Sequence, residues 1–117
     1  GRYYLMTVIE ANVGEKIPYV VRGSKITFDD ELMLNLAKLE RDDPISVDIC
    51  MTKLGMLTTG LGRDYVAQIA IPAREYTETE MENPDYNAED PTSREKITQR
   101  DPVPFSMTNV TLTLYAL

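Results

Sequence analysis

Alternating apolar and polar positions predict β-strands in three segments of the chain. Residues 45–54 place apolar side chains at every second position, with polar or small residues between them: Ile45, Val47, Ile49 and Met51. A period of two is typical of a strand with one buried face, because successive side chains of a strand point to opposite sides. Residues 64–73 and 110–117 alternate in the same way, so both are predicted to be strands.

Three shorter runs nearer the N-terminus also indicate strands. Residues 2–12 carry aromatic and β-branched side chains on both faces over most of their length, which predicts a central strand covered on both sides. Residues 17–22 and 25–28 flank the pair Gly23-Ser24. Glycine at the first of two loop positions favours a hairpin with a type II′ turn.

A helical period replaces the alternation over residues 29–42. Three leucines recur at the spacing of one helix face: Leu32, Leu36 and Leu39. Three acids at the start of the segment suit the helix dipole, with Asp29 as the cap, and Pro44 prevents continuation. A strand using every second residue from Leu32 is the alternative, and it is disfavoured because residues 37–40 break the alternation.

The order of these elements favours a strand-rich α+β fold. Residues 55–63 contain three glycines and are predicted to form a loop or a loose hairpin. The chain then holds about five or six strands and one helix, without the repeating pattern of a doubly wound parallel sheet. We predict an antiparallel sheet, arranged as a small barrel or a sandwich with one helix packed on it. A chain of 117 residues suits a single domain.

Negative charge is concentrated in residues 75–101. The whole chain has a net charge of −7, and this segment contributes nine acids against three bases. The segment is also poor in core-forming residues, since no Leu, Val, Ile or Phe occurs from residue 72 to 96. Such a composition buries too little apolar area to offset the entropy of ordering. We predict a long, acidic, mobile loop over about residues 77–101, which is either an interaction arm or a solvated insertion without a role.

The composition excludes several classes of catalytic site. With no histidine, the chain has no imidazole base for a Ser-His-Asp or Cys-His nucleophile and no imidazole metal ligand. The single cysteine, Cys50, forms neither an intramolecular disulfide nor a paired zinc clamp, which favours a reducing, cytoplasmic compartment. We therefore assign no catalytic residue, no metal ligand and no cofactor, and the chain leans away from an enzyme.

Charge and hydropathy also bear on the choice of partner. A negative net charge with scattered basic residues argues against nucleic acid, because phosphate recognition needs a basic face. No apolar run reaches the roughly 18–20 residues that cross a membrane, and the N-terminal residues lack the three regions of a signal peptide. Gly1 stands where methionine is expected, which indicates a processed or tagged start.

Two short motifs suggest ligands, and each has a simpler explanation. Residues 60–63 read Gly-Leu-Gly-Arg, in which exposed amides and Arg63 would hold a phosphate or carboxylate. The dinucleotide fingerprint is incomplete, because Tyr65 stands at its third glycine, and a flexible turn is favoured. Residues 85–90 place oxygen atoms at alternate positions as a calcium loop does, but Asp90 replaces the required glycine. Weak cation condensation on this acidic segment is favoured over a specific calcium site.

Other reactive side chains are better explained by packing and capping. Cys50 has no histidine to activate it, so we expect a small core residue. The acidic clusters at residues 29–31 and 42–43 lie at the ends of the predicted helix, where capping and solvation explain them.

The chain is rich in methionine and tyrosine, with six and seven residues, and both types are enriched at interfaces. The methionines on predicted core faces are Met33, Met51 and Met107. Those in predicted loops are Met56 and Met81, and they are a weak indication of a partner.

These observations favour a non-enzymatic structural or interaction subunit of a homo-oligomeric or phage-type assembly. It would associate with itself or with another protein through strand edges, such as residues 110–117, and through the arm at residues 77–101. The alternative is a small β-barrel that binds an anionic small molecule between residues 60–63 and the tyrosine-rich N-terminal strand. An enzyme that uses only carboxylates, tyrosine or lysine is the least supported hypothesis.

Overall fold

The computed structural model describes residues 6–117, and β-strands dominate it. Strands hold about 46% of the described residues, whereas the one α-helix among them spans four residues, so the fold is a sheet-dominated α+β fold, as predicted. The chain divides into two compact units. The main unit consists of Gly1–Arg74 and Phe105–Leu117, and the hairpin unit consists of Glu75–Pro104.

The described residues contain ten strands, which is more than the five or six predicted. In chain order they are β1 (Thr7–Glu10), β2 (Tyr19–Arg22), β3 (Lys25–Phe28), β4 (Leu32–Asn35), β5 (Ile45–Met51), β6 (Leu57–Thr59), β7 (Asp64–Ile71), β8 (Tyr76–Glu82), β9 (Lys96–Pro102) and β10 (Thr111–Leu114). The helix α1 spans Leu36–Leu39, and a 3₁₀ turn spans Met107–Asn109. The strands predicted at 45–54, 64–73 and 110–117 are confirmed as β5, β7 and β10.

A five-stranded sheet in the main unit has β7 at its centre. Its strand order is β1-β10-β7-β5-β6. Neighbouring strands run antiparallel except β1 and β10, which are parallel, so the sheet is mixed rather than purely antiparallel. The two end strands, β1 and β6, do not pair with each other. The sheet is therefore open, and the prediction of a barrel is wrong.

A three-stranded antiparallel sheet, ordered β2-β3-β4, is also part of the main unit. The hairpin predicted around Gly23-Ser24 is confirmed, because Arg22 pairs with Lys25 across those two residues. Gly23 has a φ of +59° and Ser24 has no positive φ, which is the combination that a type II′ turn requires.

The helix predicted over residues 29–42 is wrong. Asp29 and Asp30 have φ values of +51° and +54°, and the Glu31 N–H donates to the Phe28 carbonyl at 2.9 Å. Two successive left-handed residues form the type I′ turn that joins β3 to β4. Aspartate is one of the few side chains that adopt this backbone conformation readily, because it hydrogen-bonds locally.

Helical structure in this segment is limited to the single turn of α1. The Asn35 side chain accepts a hydrogen bond from the Lys38 N–H at 3.4 Å and so caps the first turn. No helix among the described residues is long and apolar enough to cross a membrane.

Apolar side chains from both sheets of the main unit and from α1 form one hydrophobic core. Its fully buried members come from alternate positions of the strands, from α1 and from the residue before β10: Ile26, Phe28, Leu36, Ile49, Ile69, Ile71, Val110 and Leu112. Burial of each such side chain contributes about 1.5–3 kcal/mol to folding. The alternation seen in the sequence of β5, β7 and β10 therefore marks the face that each strand turns to the core.

A β-bulge interrupts the pairing of β5 with β7. Ile49 pairs with Ala67 and Cys50 pairs with Tyr65, which leaves Val66 as the extra residue on β7. Val66 and Ala67 are both buried, as are Ile49 and Cys50. Strict alternation predicts Cys50 on the more polar face of β5, and the irregular register explains its burial.

β1 is an edge strand, whereas the sequence predicts a central strand covered on both sides. All four residues of β1 are exposed, and its only neighbour among the described strands is β10. The aromatic part of that prediction falls on residues 1–5, which lie outside the described residues. β10 is in turn flanked by β1 and β7, so residues 110–117 are not the open edge that the sequence analysis expects.

Further hydrogen bonds hold the C-terminal residues against the segment that follows β1. The Ala11 N–H donates to the Leu114 carbonyl at 2.9 Å, and the Ala116 N–H donates to Asn12 Oδ1 at 2.7 Å. The Leu117 N–H donates to the backbone carbonyl of residue 15 at 2.8 Å. Contacts between residues about a hundred positions apart thus complete this side of the sheet.

The type I′ turn predicts opposite effects for two substitutions of Asp30. Asp30→Gly removes the steric cost of a left-handed residue and should stabilise the protein by up to about 1 kcal/mol. Asp30→Ala keeps a Cβ, loses the local hydrogen-bonding side chain, and should lower the free energy of unfolding. Urea denaturation of both variants measures the difference, and equal shifts in the same direction would contradict the turn assignment.

Candidate interaction surface

The hairpin unit consists of two paired strands where the sequence predicts a structureless loop. β8 and β9 pair antiparallel over seven residues each, from Tyr76 opposite Pro102 to Glu82 opposite Lys96. The loop prediction is therefore wrong for residues 77–82 and 96–101, whereas residues 83–95 lie outside the two strands. Threonine, tyrosine and isoleucine are enriched in strands, and their cross-strand pairs stabilise a two-stranded ladder.

The two faces of the hairpin differ in charge. Residues opposite each other in an antiparallel pair project to the same face, and successive residues project to opposite faces. One face, called the charged face here, carries the even-numbered residues Tyr76, Glu78, Glu80, Glu82, Lys96, Thr98, Arg100 and Pro102. The opposite face carries Thr77, Thr79, Met81, Ile97, Gln99 and Asp101, with Met81 opposite Ile97.

Cross-strand ion pairs order the charged face. Lys96 Nζ lies 3.4 Å from Glu82 Oε1, and Arg100 Nε lies 3.8 Å from Glu78 Oε1. The Arg100 guanidinium also lies 3.8 Å from the centre of the Tyr76 ring, in a cation–π contact. These pairs are exposed to solvent, so each contributes little to stability. The charged face thus carries its acids on β8 and its bases on β9.

The backbone of the hairpin directs hydrogen-bonding groups outward along both edges. The Val103 N–H donates to the Glu75 carbonyl, and the Asn83 N–H donates to the Glu95 carbonyl, each at 2.8 Å. Hydrogen-bonded and non-hydrogen-bonded pairs alternate along an antiparallel ladder, so the odd-numbered residues pair inward. The N–H and C=O groups of Glu78, Glu80 and Glu82 on β8, and of Lys96, Thr98 and Arg100 on β9, therefore point outward. The side chains of these residues lie on the charged face.

The loop at the tip of the hairpin, residues 83–95, is held by its own side chains. Asn83 Oδ1 accepts from the Asp85 N–H at 2.9 Å, and Asn87 Oδ1 accepts from the Glu89 N–H at 3.0 Å. The loop that resembles a calcium site is thus built from side-chain-to-backbone turns. Among the residues that the structure describes, no three Cys, Asp or Glu side chains come together as a metal-binding group.

Asp90 closes the last turn of the same loop. Its Oδ1 accepts from Thr92 twice, from the Oγ1 hydroxyl at 2.7 Å and from the backbone N–H at 2.9 Å. Both hydrogen bonds, the side-chain one first, lower the pKa of Asp90 below its ordinary value. The carboxylate that replaces the expected glycine therefore has a structural partner.

Strand edges of the main unit expose apolar side chains. The outer strands among the described residues are β1 and β6 of the larger sheet and β2 and β4 of the smaller one. Val8 and Ile9 of β1 are 42% and 47% exposed, and Met33 of β4 is 51% exposed. The prediction of Met33 on a core face is therefore wrong, whereas Met51 and Met107 pack against the core as predicted.

Two backbone N–H groups of the Gly60–Arg63 loop donate hydrogen bonds within the main unit. The Gly60 N–H donates to the Asp48 carbonyl at 2.9 Å, and the Gly62 N–H donates to the Tyr65 hydroxyl at 3.3 Å. Gly60 has a φ of +107°, so the turn requires glycine there. Arg63 lines three neighbouring surface depressions of the main unit and forms no ion pair with a described acid.

Each of the two acidic clusters singled out in the sequence has a member with a structural partner. Glu31 Oε2 accepts a hydrogen bond from the Leu57 N–H at 2.6 Å, which ties the β3–β4 turn to β6. Arg74 Nε lies 3.4 Å from Glu40 Oε1, and Arg74 Nη1 lies 3.7 Å from Asp42 Oδ1. Glu40 is buried, so this pair fixes the end of α1 against the residues that follow β7.

The alternation of Thr and Glu over residues 76–82 was the signal that would have revealed β8 in the sequence. The bases Lys96 and Arg100 follow four residues apart, a spacing that places both on one face of a strand. No protein-family model matches the chain, and comparisons with curated proteins and with solved structures also find no match. The function must therefore be inferred from the surface itself.

Cys50 lies in the core beside the Gly60–Arg63 loop. Its Sγ is 3.2 Å from the Gly60 carbonyl oxygen, to which the thiol donates. Burial first, and then the negative charges of Asp48 and Asp64, raise the pKa of this thiol above 9.0. A Cβ added to Gly62 would lie 3.1 Å from the sulfur, so the loop packs closely over Cys50.

The buried thiol predicts slow reaction with Ellman's reagent. At pH 8 the native protein should react at least about tenfold more slowly than the urea-unfolded chain, because the thiolate is disfavoured and covered. The raised pKa also means that Cys50 contributes stability that is fully present below pH 9.0 and is lost as the pH rises through the native value. Equal rates in the native and unfolded proteins would contradict this placement.

Proposed function

We propose that this protein is a non-enzymatic assembly subunit that associates, through the hairpin unit and the strand edges, with copies of itself or with another protein. One observation carries the proposal. Every residue of β8 and β9 is exposed except the half-buried Tyr76. A pair of strands with both faces in contact with water is at best marginally stable on its own. A third strand or an apposed surface from a partner would stabilise it.

The edges of the main unit support the same proposal. Unpaired strand edges offer hydrogen-bonding groups to another chain unless charge, proline or a covering segment blocks them. β1 has the sequence Thr-Val-Ile-Glu, without lysine or proline, and its Val8 and Ile9 are exposed. The exposed Val20 and Val21 of β2 extend the set of apolar edge residues. Rings and phage-type tail structures are assemblies in which such edges would be covered.

Excising the hairpin should abolish assembly and leave the main unit folded. The Glu75 carbonyl and the Val103 N–H are hydrogen-bonded at 2.8 Å, so residues 76–102 can be replaced by a two-residue Asn-Gly turn. Native mass spectrometry should show an oligomer for the wild type and a monomer for the excised variant. Circular dichroism should show a cooperative melt for both proteins.

A shorter deletion provides the matched control. Asn83 and Glu95 form the equivalent hydrogen-bonded pair at the tip, so residues 84–94 can be replaced by Asn-Gly while β8 and β9 are kept. This variant should assemble as the wild type does. A wild-type protein that is monomeric and binds no other protein would contradict the proposal. An excised variant that forms an oligomer with as many subunits as the wild type would also contradict it.

A second candidate function is the binding of an anionic small molecule at Arg63. It is supported by three surface depressions that Arg63 lines, the largest with a volume of about 540 Å³. No described acid forms an ion pair with Arg63. Lys53 adds a second positive charge to two of them. Asp48 and Asp64 line the same region and weigh against a strongly charged anion.

The anion hypothesis predicts a thermal shift that depends on Arg63. Any phosphate or carboxylate compound that raises the melting temperature should lose that effect in Arg63→Ala, because binding to the native state is what stabilises it. Arg22→Ala, an exposed arginine on β2, is the matched control and should keep the shift. A screen of such compounds without any shift would remove this candidate.

A further inference from the structure

We propose that β9 of one copy pairs antiparallel with β8 of a second copy, head to tail, so that successive hairpins form one continuous sheet. The proposal rests on the assembly function proposed above and names its partner as a second copy of this chain. Three features of the hairpin support it: the free groups of its backbone, the distribution of its charges and the composition of its other face.

The backbone of each hairpin has complementary edges for this pairing. Glu78, Glu80 and Glu82 direct their N–H and C=O groups outward from β8, and Lys96, Thr98 and Arg100 do so from β9. If two hairpins lie side by side in the same orientation, β9 of one runs antiparallel to β8 of the next. The outward groups of the even-numbered residues then face each other and can form a regular ladder.

The charges select this arrangement over a symmetric one. Pairing β8 of one copy with β8 of another would set glutamates opposite glutamates. Pairing β9 with β9 would set the bases of one copy, Lys96 and Arg100, beside the bases of the other. Like charges directly opposite each other in a sheet are destabilising, whereas opposite charges stabilise the pair. Only pairing of β9 with β8 brings the bases of one copy beside the acids of the next, on the charged face of both.

If β9 of one copy pairs with β8 of the next in the same register as inside the hairpin, each base lies between two carboxylates. Lys96 then lies between its own Glu82 and the Glu82 of the neighbouring copy, and Arg100 lies between two copies of Glu78 in the same way. Within one hairpin these pairs are 3.4 Å and 3.8 Å apart. The side chains of Lys96 and Arg100 are 54% and 60% exposed. Each therefore has room for a second carboxylate on the side that faces away from its own hairpin.

The opposite face becomes a continuous strip in the same arrangement. Met81 lies opposite Ile97, and each is 38% exposed. Side-by-side hairpins place the Ile97 of one copy next to the Met81 of the following copy, which removes further apolar surface from water. In a row of head-to-tail hairpins, one β8 edge and one β9 edge remain unpaired at the two ends. If these edges meet, the copies form a closed ring, and if they do not, further copies add to an open filament.

A variant with exchanged charges tests the proposal directly. The fourfold change Glu78→Arg, Glu82→Lys, Lys96→Glu and Arg100→Glu keeps both ion pairs inside the hairpin and reverses both edges. Such a protein should assemble with itself, because its acidic β9 meets a basic β8. It should not assemble with the wild type, because β9 of either protein then meets a β8 of the same sign.

Native mass spectrometry of a mixture measures this selectivity. Wild type labelled with ¹⁵N and the unlabelled exchanged variant are unfolded together, refolded and weighed. The expected result is two homogeneous oligomers, with mixed species at least about tenfold below their statistical abundance. Mixed oligomers at statistical or higher abundance would overturn the proposal, and an excess of them would indicate symmetric pairing of like strands.

Two proline variants test the backbone part of the pairing. Thr98→Pro removes an outward N–H from β9 and leaves the ladder inside the hairpin intact, so it should yield monomers with a wild-type main unit. Gln99→Pro removes an inward N–H and breaks the hairpin itself, which serves as the comparison. Wild-type assembly by Thr98→Pro would overturn the edge pairing.

The outcomes separate the two proposals. If excision of residues 76–102 abolishes the oligomer while Thr98→Pro and the exchanged variant assemble and mix freely with the wild type, the assembly function stands and head-to-tail pairing is wrong. If the wild type is monomeric at all concentrations in low salt, where the charged pairs are least screened, head-to-tail pairing and every other form of self-association are wrong. The assembly function is then also wrong if the wild type binds no protein partner that the excised variant fails to bind.

Discussion

Burial of one face of β7 is the interaction on which the main unit depends. β7 pairs with β5 on one side and with β10 on the other, and its Val66, Ala67, Ile69 and Ile71 are all buried. The smaller sheet adds Ile26 and Phe28 to the same core. A strand held on both sides by hydrogen bonds and covered by apolar side chains has one register that keeps those side chains inside. The register of β7 in turn fixes the positions of its neighbouring strands and of the loops that join them.

The hairpin unit is organised by a different kind of interaction. Its strands bury almost no side chain, and their order comes from backbone pairing, cross-strand charges and the turns of the tip loop. The protein thus combines a unit stabilised by apolar burial with a unit whose strands are exposed and strongly charged. Acids on one strand and bases on the other give the exposed hairpin a direction, and a direction is what a head-to-tail contact between identical subunits requires.

Sequence patterns predicted the elements whose side chains alternate between core and solvent. β5, β7, β10 and the β2–β3 hairpin fall in this group, because burial itself produces the pattern. The helix at 29–42 was wrong because helical spacing of leucines coincided with two aspartates that adopt a left-handed turn. β8 and β9 were missed because their strands lack the apolar alternation that burial produces, and exposed backbone pairing leaves no such pattern. Strand order, and hence the open sheet, depends on long-range pairing that no local pattern records.

The parallel pairing of β1 with β10 has a consequence for synthesis of the protein on the ribosome. Thr7 pairs with Thr111, so the strand made first among those described waits for more than a hundred further residues to emerge. Until then, β7 has no neighbour on its β10 side, and its apolar face lacks part of its cover. Folding of the main unit is therefore a late event in translation, and the nascent chain passes through a stage in which β1 and β7 both offer open edges to other chains.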